Sequence, residues 1–442
     1  MHYFYRYYIQ FSLEKHVVSE SRIARFFGKE TLTILHSFFF LSVIQLTNFL
    51  LPLIILPFLI RIVGIEKVGI IALAQALMSY FIIVTDYGFN LTATRDIAHH
   101  RGDKRRMSEI VSRVMILKSC LAGLSFFFLI ILLNLVTRFS VNAEMYYWSF
   151  LLVLGQVLIP TWFFQGIEKM KYLALINVSG KIIFVTLIFF FIRKPDDYIY
   201  AIVFLSLGNI VAGVFGLLIM FYRFGISFIV PAWQDMKTEL QTGWALMISN
   251  FSINVYINSN IFILALFTSN VIVGYYSIAD KILYALRQIL NLFFQATYPQ
   301  ACRQVEYGHS NLVRFFKKHF IPLLAGMVVI CLITCFAAPL ISRIFLHKEG
   351  GALVPMIRLF SMVPVIVCCN IPAYQTLLIY HFQRSIMKIL ISGAMLNIVL
   401  NIILAKFYQV NGTIASVILT ELFITLGLNG ILSVRHPQYK LL

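Results

Sequence analysis

Polar side chains recur at helical spacing inside long apolar segments of this sequence. Asn250, Asn254 and Asn258 repeat every four residues, so they share one face of a helix. Amide groups in such a row can hydrogen-bond hydroxyl groups of a ligand, which favours a hydrated cavity. The alternative is hydrogen bonding between helices, which is common in membrane bundles and contributes roughly 0.6 kcal/mol per bond.

A second stripe adds charge to this pattern. Its members fall three, seven, ten and fourteen residues after the first, on one helical face: Ser277, Asp280, Tyr284, Arg287 and Asn291. Two further segments carry shorter polar rows, comprising Gln75, Ser79, Asp86 and Asn90 in one and Asn397 and Asn401 in the other. We expect these stripes to face a cavity that suits sugar hydroxyls and an anionic group.

The embedded charges have two interpretations each. Arg287 and Arg358 are the deepest arginines, and their planar guanidinium groups match phosphate, but either could instead pair with Asp280 or Glu421. Asp86 and Glu421 could bind a coupling ion or form ion pairs, and the neighbours Asp280 and Lys281 point about 100° apart on a helix. Two other lysines lie within about two turns of predicted inner helix ends, where lysine snorkels to the membrane surface: Lys118 and Lys181.

The segments that position these residues belong to a membrane protein. Sixty per cent of the 442 residues are apolar and 12% are charged, with a mean hydropathy of +0.86. This composition excludes a soluble globular protein, a disordered chain and a disulfide scaffold. Since a spanning helix needs about 20 apolar residues, we predict twelve spans near 35–60, 68–92, 114–136, 147–166, 173–192, 199–222, 244–268, 272–299, 319–341, 353–378, 386–406 and 413–433.

The distribution of basic residues predicts the orientation of these spans. Lysine and arginine concentrate on the cytoplasmic side of membrane proteins. With both termini in the cytoplasm, and with Lys388 and Lys406 counted in the loops next to their span ends, 23 of the 36 basic residues fall in inner segments and eight in outer loops. The net charge of +18 therefore reflects topology, and nucleic acid is not an expected partner. Residues 3–27 mix aromatic and basic side chains, which suits an interfacial helix or, alternatively, a start codon assigned too far upstream.

Internal repeats predict the architecture. Three dipeptides recur at offsets of 202, 205 and 203 residues: Asn48-Phe49 with Asn250-Phe251, Val68-Gly69 with Val273-Gly274, and Ala122-Gly123 with Ala325-Gly326. Six spans separate each pair, so the two halves have the same orientation and a binding site is expected between them. The predicted fold is an all-α membrane bundle of two six-helix halves around a central polar cavity. Its segments are a basic cytoplasmic N-terminus (1–32), a first half (33–222), a cytoplasmic linker (223–243), a second half (244–433) and a cytoplasmic tail (434–442).

Sequence signals for catalysis are missing. The chain contains no Walker A sequence, Rossmann glycine fingerprint, HExxH or GxSxG. We expect no catalytic residues, no metal site and no cofactor, so transport would be secondary or passive. The prolines at 52, 57, 160, 355, 364 and 372 are expected to kink or bend helices.

Short motifs in chain order carry a family resemblance that covers about residues 33–433. They are L-P-F-L-I-R-I-V-G (56–64), V-G-I-I-A (68–72), D-Y-G-F (86–89), A-T-R-D-I-A (93–98), W-F-F-Q-G-I-E (162–168) and G-Y-Y-S-I-A-D-K (274–281). This set resembles the bacterial polysaccharide and O-antigen flippases of the multidrug/oligosaccharidyl-lipid/polysaccharide exporter superfamily. The resemblance implies a flippase in the bacterial cytoplasmic (inner) membrane that moves an undecaprenyl-pyrophosphate-linked oligosaccharide from the cytoplasmic to the periplasmic leaflet.

This implied substrate assigns candidate roles to the polar residues. The pyrophosphate candidates are Arg61, Arg95, Arg287 and Arg358, and the sugar candidates are Asn48, Asn250, Asn254, Asn258 and Asn291. The candidates for a coupling ion or a charge pair are Asp86, Asp280, Lys281 and Glu421. The resemblance also implies a polysaccharide polymerase and chain-length machinery as partners. The alternatives are a multidrug or other ion-coupled exporter of the same superfamily and, in a third class, a membrane polymerase or acyltransferase.

Overall fold

The described part of the first half of the chain contains nine α-helices, together with a short 3-10 helix (Pro195–Asp197) and a π-helix (Ile219–Arg223). The computed structural model describes residues 29–346 and 351–435, so residues 3–27, whose two interpretations are given above, lie outside the described chain. The helices of the first half are α1 (Lys29–Val63), α2 (Ile65–Asp86), α3 (Phe89–His99), α4 (Lys104–Leu135), α5 (Thr137–Ser140), α6 (Ala143–Leu158), α7 (Thr161–Gly166), α8 (Met170–Phe191) and α9 (Tyr198–Leu218).

The second half begins with two of the longest helices of the protein. Its helices are α10 (Trp233–Phe267), α11 (Asn270–Glu306), α12 (His309–Phe336), α13 (Ala338–Leu346), α14 (Leu353–Phe360), α15 (Val363–Cys368), α16 (Ile371–Ile379) and α17 (Gln383–Arg435). Helix α10 starts inside the segment predicted as the linker. Pro364 and Pro372 stand in the first turns of α15 and α16, so prolines divide the predicted tenth span into short helices.

The described residues form a helical membrane protein. Nine of its segments have the length and hydropathy needed to cross a membrane, namely 43–63, 65–99, 104–135, 143–166, 170–191, 195–223, 309–336, 353–379 and 383–434. Helix α10 adds a shorter apolar stretch, Asn258–Phe267. Helix α11 is long enough at 37 residues, but Asp280, Lys281 and Arg287 make it too polar to face lipid. The number of twelve spans stays a prediction.

Helix α17 is a hairpin of two antiparallel helices. Gln409 has a φ of 50° and a ψ of −128°, which breaks the helix at that point. The side-chain amide of Asn397 donates to the hydroxyl of Thr420 at 3.3 Å, and Gly393 packs against Ile424. These pairs can meet only if the chain reverses near Gln409. The reversal lies between the last two predicted spans, 386–406 and 413–433.

Two helices related by the sequence repeat hold the halves together. A Cβ atom placed on Gly69 of α2 would overlap the carbonyl oxygen of Asn270, and one placed on Gly274 of α11 would overlap the carbonyl oxygen of Ile65. Ile65 and Asn270 are separated by the same 205 residues as Gly69 and Gly274. The contact is therefore reciprocal, as expected for two halves related by a two-fold axis. Small residues let the two backbones approach closely.

Candidate functional site

Helices α2, α10 and α11 form the seam between the halves. Along it, the ring of Tyr80 on α2 lies near those of Phe251 and Phe262 on α10, with centroids 6.1 and 6.4 Å apart. Beside the glycine contact, Arg138 of the first half donates to the carbonyl oxygen of Thr268 at 2.8 Å and to the side-chain oxygen of Asn270 at 3.0 Å. Arg138 thus ties the halves together at the end of the bundle that the sequence predicts to be outer.

The charged stripe of α11 lines a small cavity in the second half. The cavity has a volume of about 60 Å³ and is lined by Asn260, Tyr276, Asp280, Leu283, Tyr284, Arg287 and Val417. A space of this size holds water, not an oligosaccharide. The helical spacing predicts that Asp280, Tyr284 and Arg287 share one face, and all three line this cavity. Lys281 is not among the lining residues.

The two outer members of the stripe lie elsewhere. Ser277 donates to the carbonyl oxygen of Gly274 in its own helix at 2.8 Å. Asn291 is exposed and donates to the side chain of Gln288 at 3.4 Å. The stripe therefore contributes to the cavity only in its middle two turns.

Arg287 pairs with a carboxylate from α17. Its guanidinium lies 2.6 Å from the side-chain oxygen of Glu421, which is buried. This is one of the two arrangements that the sequence left open for Arg287. An anionic ligand at this position would have to compete with Glu421, which forms a charge pair, one of the two roles that the sequence left open for it.

The asparagines of α17 contact neighbouring helices. Asn401 donates to the side-chain oxygen of Asn260 on α10 at 2.9 Å, and both residues are buried. The spacing did not single out Asn260, which lies two residues after Asn258 and so on a different side of α10 from the row of asparagines. In that row the half-buried Asn258 and Asn254 are 3.5 Å apart, and the side chain of Asn250 lies outside the described residues. The row on α17 therefore serves packing between helices.

A buried ion pair joins α2 to α4 in the first half. The ammonium group of Lys118 lies 2.8 Å from a carboxylate oxygen of Asp86, and Asn90 donates to the other oxygen at 3.2 Å. Lys118 is 1% exposed. The expectation that Lys118 snorkels to the membrane surface is wrong, because Asp86 offers a carboxylate inside the bundle.

This pair leads to a stability prediction. Asp86→Asn should destabilise the protein by about 3–5 kcal/mol, because it leaves the charge of Lys118 buried without a carboxylate. Adding Lys118→Met should recover most of the loss. Arg105→Ala is the control, since Arg105 pairs with Glu109 on the surface, where such pairs contribute about 0–1 kcal/mol. Thermal unfolding in detergent measures all three variants, and equal melting temperatures for Asp86→Asn and wild type would contradict the prediction.

A second charge cluster anchors the start of α10 to the first half. Buried Glu239 accepts a hydrogen bond from the hydroxyl of Thr92 at 2.9 Å and lies 3.0 Å from the guanidinium of Arg113. Sequence analysis missed this cluster, because Glu239 falls in the predicted linker and its partners precede it by more than 100 residues. Helix α10 therefore contacts the first half at both of its ends.

The three other pyrophosphate candidates lie outside the cavity of α11. Arg61 is exposed in the last turn of α1, and Arg358 is exposed on α14. Arg95 is exposed on α3 and lies 3.1 Å from Asp96. The structure thus distributes the four arginines over four helices.

A further cation was missed as a candidate. Lys181 of α8 donates to the side-chain oxygen of Asn48 on α1, so the sugar candidate Asn48 has a cation beside it. Asn48 is exposed and Lys181 is half-buried. The signal was available in the sequence, because Lys181 interrupts a long apolar run. Among residues 29–346 and 351–435, no three His, Cys, Asp or Glu side chains are arranged to hold a metal ion.

Comparison with known proteins extends these observations. Residues 34–303 match the family described as "Polysaccharide biosynthesis protein". A relative from Escherichia coli (strain K12), named "Putative O-antigen transporter", is 30% identical over 390 residues, which cover 87% of this chain and 93% of the relative.

Two solved structures share the fold. An inward-facing multidrug resistance MATE family transporter of the MOP superfamily has a TM-score of 0.69 at 15% identity, covering 89% of this chain and 95% of its own. The lipid II flippase MurJ, in an inward closed conformation, has a TM-score of 0.59 at 15% identity, covering 89% and 87%. Both likenesses extend over the first and the second half.

Proposed function

Because the chain belongs to the polysaccharide biosynthesis protein family, we propose that it is a flippase for a lipid-linked oligosaccharide. The substrate is an O-antigen repeat unit on undecaprenyl pyrophosphate, moved from the cytoplasmic to the periplasmic leaflet of the bacterial inner membrane. The observation that carries the proposal is the family match over residues 34–303. The chain is a membrane transporter and not an enzyme.

The polarity of the seam supports a hydrophilic cargo. A sugar hydroxyl taken into hydrocarbon without a partner costs several kcal/mol, so an oligosaccharide does not cross a bilayer unaided. The first half of helix α11 carries three charged residues, Asp280, Lys281 and Arg287, and the helix borders the other half, where it can line a path for such a cargo. The lipid tail can remain in the bilayer while the sugars and the pyrophosphate follow the seam.

The arrangement of the halves suits alternating access. The glycine contact and the hydrogen bonds of Arg138 close the predicted outer end of the seam. Delivery to the outer leaflet requires that these contacts open while the inner end closes. In this account both termini are cytoplasmic, and residues 33–222 rock against residues 244–433. A polymerase and a chain-length regulator would receive the product.

Deletion of the gene tests the proposal. We expect surface polysaccharide to be lost, lipid-linked repeat units to accumulate, and both effects to be reversed by a plasmid copy. Electrophoresis of surface polysaccharide and analysis of membrane lipids provide the measurements. Normal surface polysaccharide in a deletion strain without a second flippase would refute the proposal.

The second candidate is a multidrug exporter, which the MATE-like fold favours. Most multidrug substrates of such exporters are cations, whereas the predicted spans hold five basic and three acidic residues when Lys388 and Lys406 at the ends of one span are left out. A deletion strain that gains sensitivity to cationic drugs and keeps its polysaccharide would support this candidate.

A further inference from the structure

Of the two cations inside the predicted spans of the first half, Lys118 and Lys181, one has a neutral partner. Lys118 pairs with Asp86 and Arg287 pairs with Glu421. Lys181 donates to the amide oxygen of Asn48, and no carboxylate of the described chain lies within ion-pair distance of it. The interior of the first half therefore carries an uncompensated positive charge at Lys181.

Lys181 lies at the middle of its helix. It is the twelfth of the 22 residues of α8 (Met170–Phe191), so about 15 Å of helix separates it from either end at 1.5 Å per residue. That distance exceeds the length of a lysine side chain. The sequence predicts that Lys181 lies about two turns from the inner end of its helix and snorkels to the surface. Helix α8 begins at Met170, three residues before the predicted span, so Lys181 lies about three turns from that end.

Lys181 is directed toward the interior of the bundle. Ala174 lies seven residues before Lys181 and Ile188 lies seven residues after it, so all three are on one side of α8. Ala174 and Ile188 are buried. Exposed apolar side chains occupy a different side, represented by Leu175 and Ile182. The lipid-facing side of α8 is therefore not the side of Lys181.

The partner of Lys181 also faces inward. Asn48 lies on the side of α1 that carries Ile55 and Leu59, seven and eleven residues later, and both are buried. The exposed apolar residues Leu50 and Ile54 lie on another side. Asn48 itself is exposed, so a ligand can reach the pair without displacing packed side chains.

We infer that Lys181, positioned by Asn48, is an anion site that holds the pyrophosphate of the substrate at mid-membrane. This inference rests on the proposed function. An uncompensated cation at this depth is costly, and a ligand with negative charge removes that cost. The ammonium group has three donors, of which Asn48 accepts one, so donors remain for phosphate oxygens.

Binding of farnesyl pyrophosphate to the purified full-length protein tests the inference. Lys181→Gln keeps a donor for Asn48 but removes the charge, and we expect its affinity to fall at least about tenfold. Lys181→Arg should bind within about threefold of wild type. Lys171→Gln is the matched control, because Lys171 is exposed in the first turn of the same helix. Unchanged affinity of Lys181→Gln would overturn the inference.

A second variant separates binding from folding. Asn48→Asp places a carboxylate beside Lys181, so it should raise the melting temperature of the protein and weaken farnesyl pyrophosphate binding at least about tenfold. Wild-type affinity in Asn48→Asp would overturn the inference even if Lys181→Gln fails to fold.

Competition identifies the source of the anion. Inorganic pyrophosphate should displace farnesyl pyrophosphate, whereas vesicles of phosphatidylglycerol should not. Displacement by phosphatidylglycerol alone would assign the site to a membrane lipid and overturn the inference. Restoration of surface polysaccharide by the wild-type gene is measured separately. Loss of pyrophosphate binding at Lys181 would leave the proposed function intact, whereas failure of the wild-type gene to restore polysaccharide would refute that function.

Discussion

Replacement of Gly69 or Gly274 by alanine is expected to abolish most delivery of surface polysaccharide. Each new Cβ would overlap a backbone carbonyl oxygen of the other half, which cannot move aside as a side chain can. Overpacking costs about 1–3 kcal/mol, which corresponds to a shift of about 5- to 150-fold away from the closed seam. The measurement is the rate at which polysaccharide returns to the surface after induction, at equal amounts of protein in the membrane.

The sequence repeat supplies the control for this prediction. Gly123 and Gly326 are also a repeat pair, and a Cβ on either meets no described atom within 4 Å. Gly123→Ala and Gly326→Ala should therefore behave as wild type. Equal rates in all four variants would contradict the prediction, because transport would then not require the close backbone contact between Gly69 and Gly274.

Removal of Arg287 is expected to have the second large effect. Arg287→Ala leaves Glu421 buried without its cation, which destabilises a protein by about 3–5 kcal/mol. We therefore expect loss of both the folded protein and its activity. The informative variant is the double substitution Arg287→Met with Glu421→Leu, which removes both charges and keeps side-chain volume near the original.

The double variant separates structure from substrate contact. If Arg287 contacts the pyrophosphate, which is the other role that the sequence predicts for it, the double variant should regain thermal stability in detergent and still fail to deliver polysaccharide. Arg303→Ala, an exposed substitution near the end of the same helix, serves as the control and should be active. Full activity of the double variant would assign Arg287 to stability alone.

The periodicity of single helices was predictable from the sequence. The spacing of Asp280, Tyr284 and Arg287 placed them on one face, and the structure lines one cavity with them. The offset of 205 residues paired Gly69 with Gly274, and these residues form the contact between the halves. Both results follow from helix geometry and from the internal repeat, and both of these can be recognised in a single sequence.

Partners on different helices were not predictable in the same way. Lys118 finds Asp86 32 residues earlier, and Lys181 finds Asn48 133 residues earlier. Such pairs depend on which helices pack together and on the depth of each residue along its helix. The hydropathy of the sequence predicts neither the neighbouring helices nor their relative positions. The bundle supplies partners deep inside it, so both lysines remain in the interior instead of reaching for the membrane surface.

The leaflet in which lipid-linked repeat units reside shows whether this protein moves them across the membrane. Spheroplasts of the deletion strain, and of the same strain with the plasmid copy, can be treated with a membrane-impermeant reagent that modifies sugars. If the protein is the flippase, lipid-linked repeat units are protected in the deletion strain and become modified when the wild-type protein is present. Equal modification in both strains would contradict this role, because the substrate would then reach the outer leaflet without this protein.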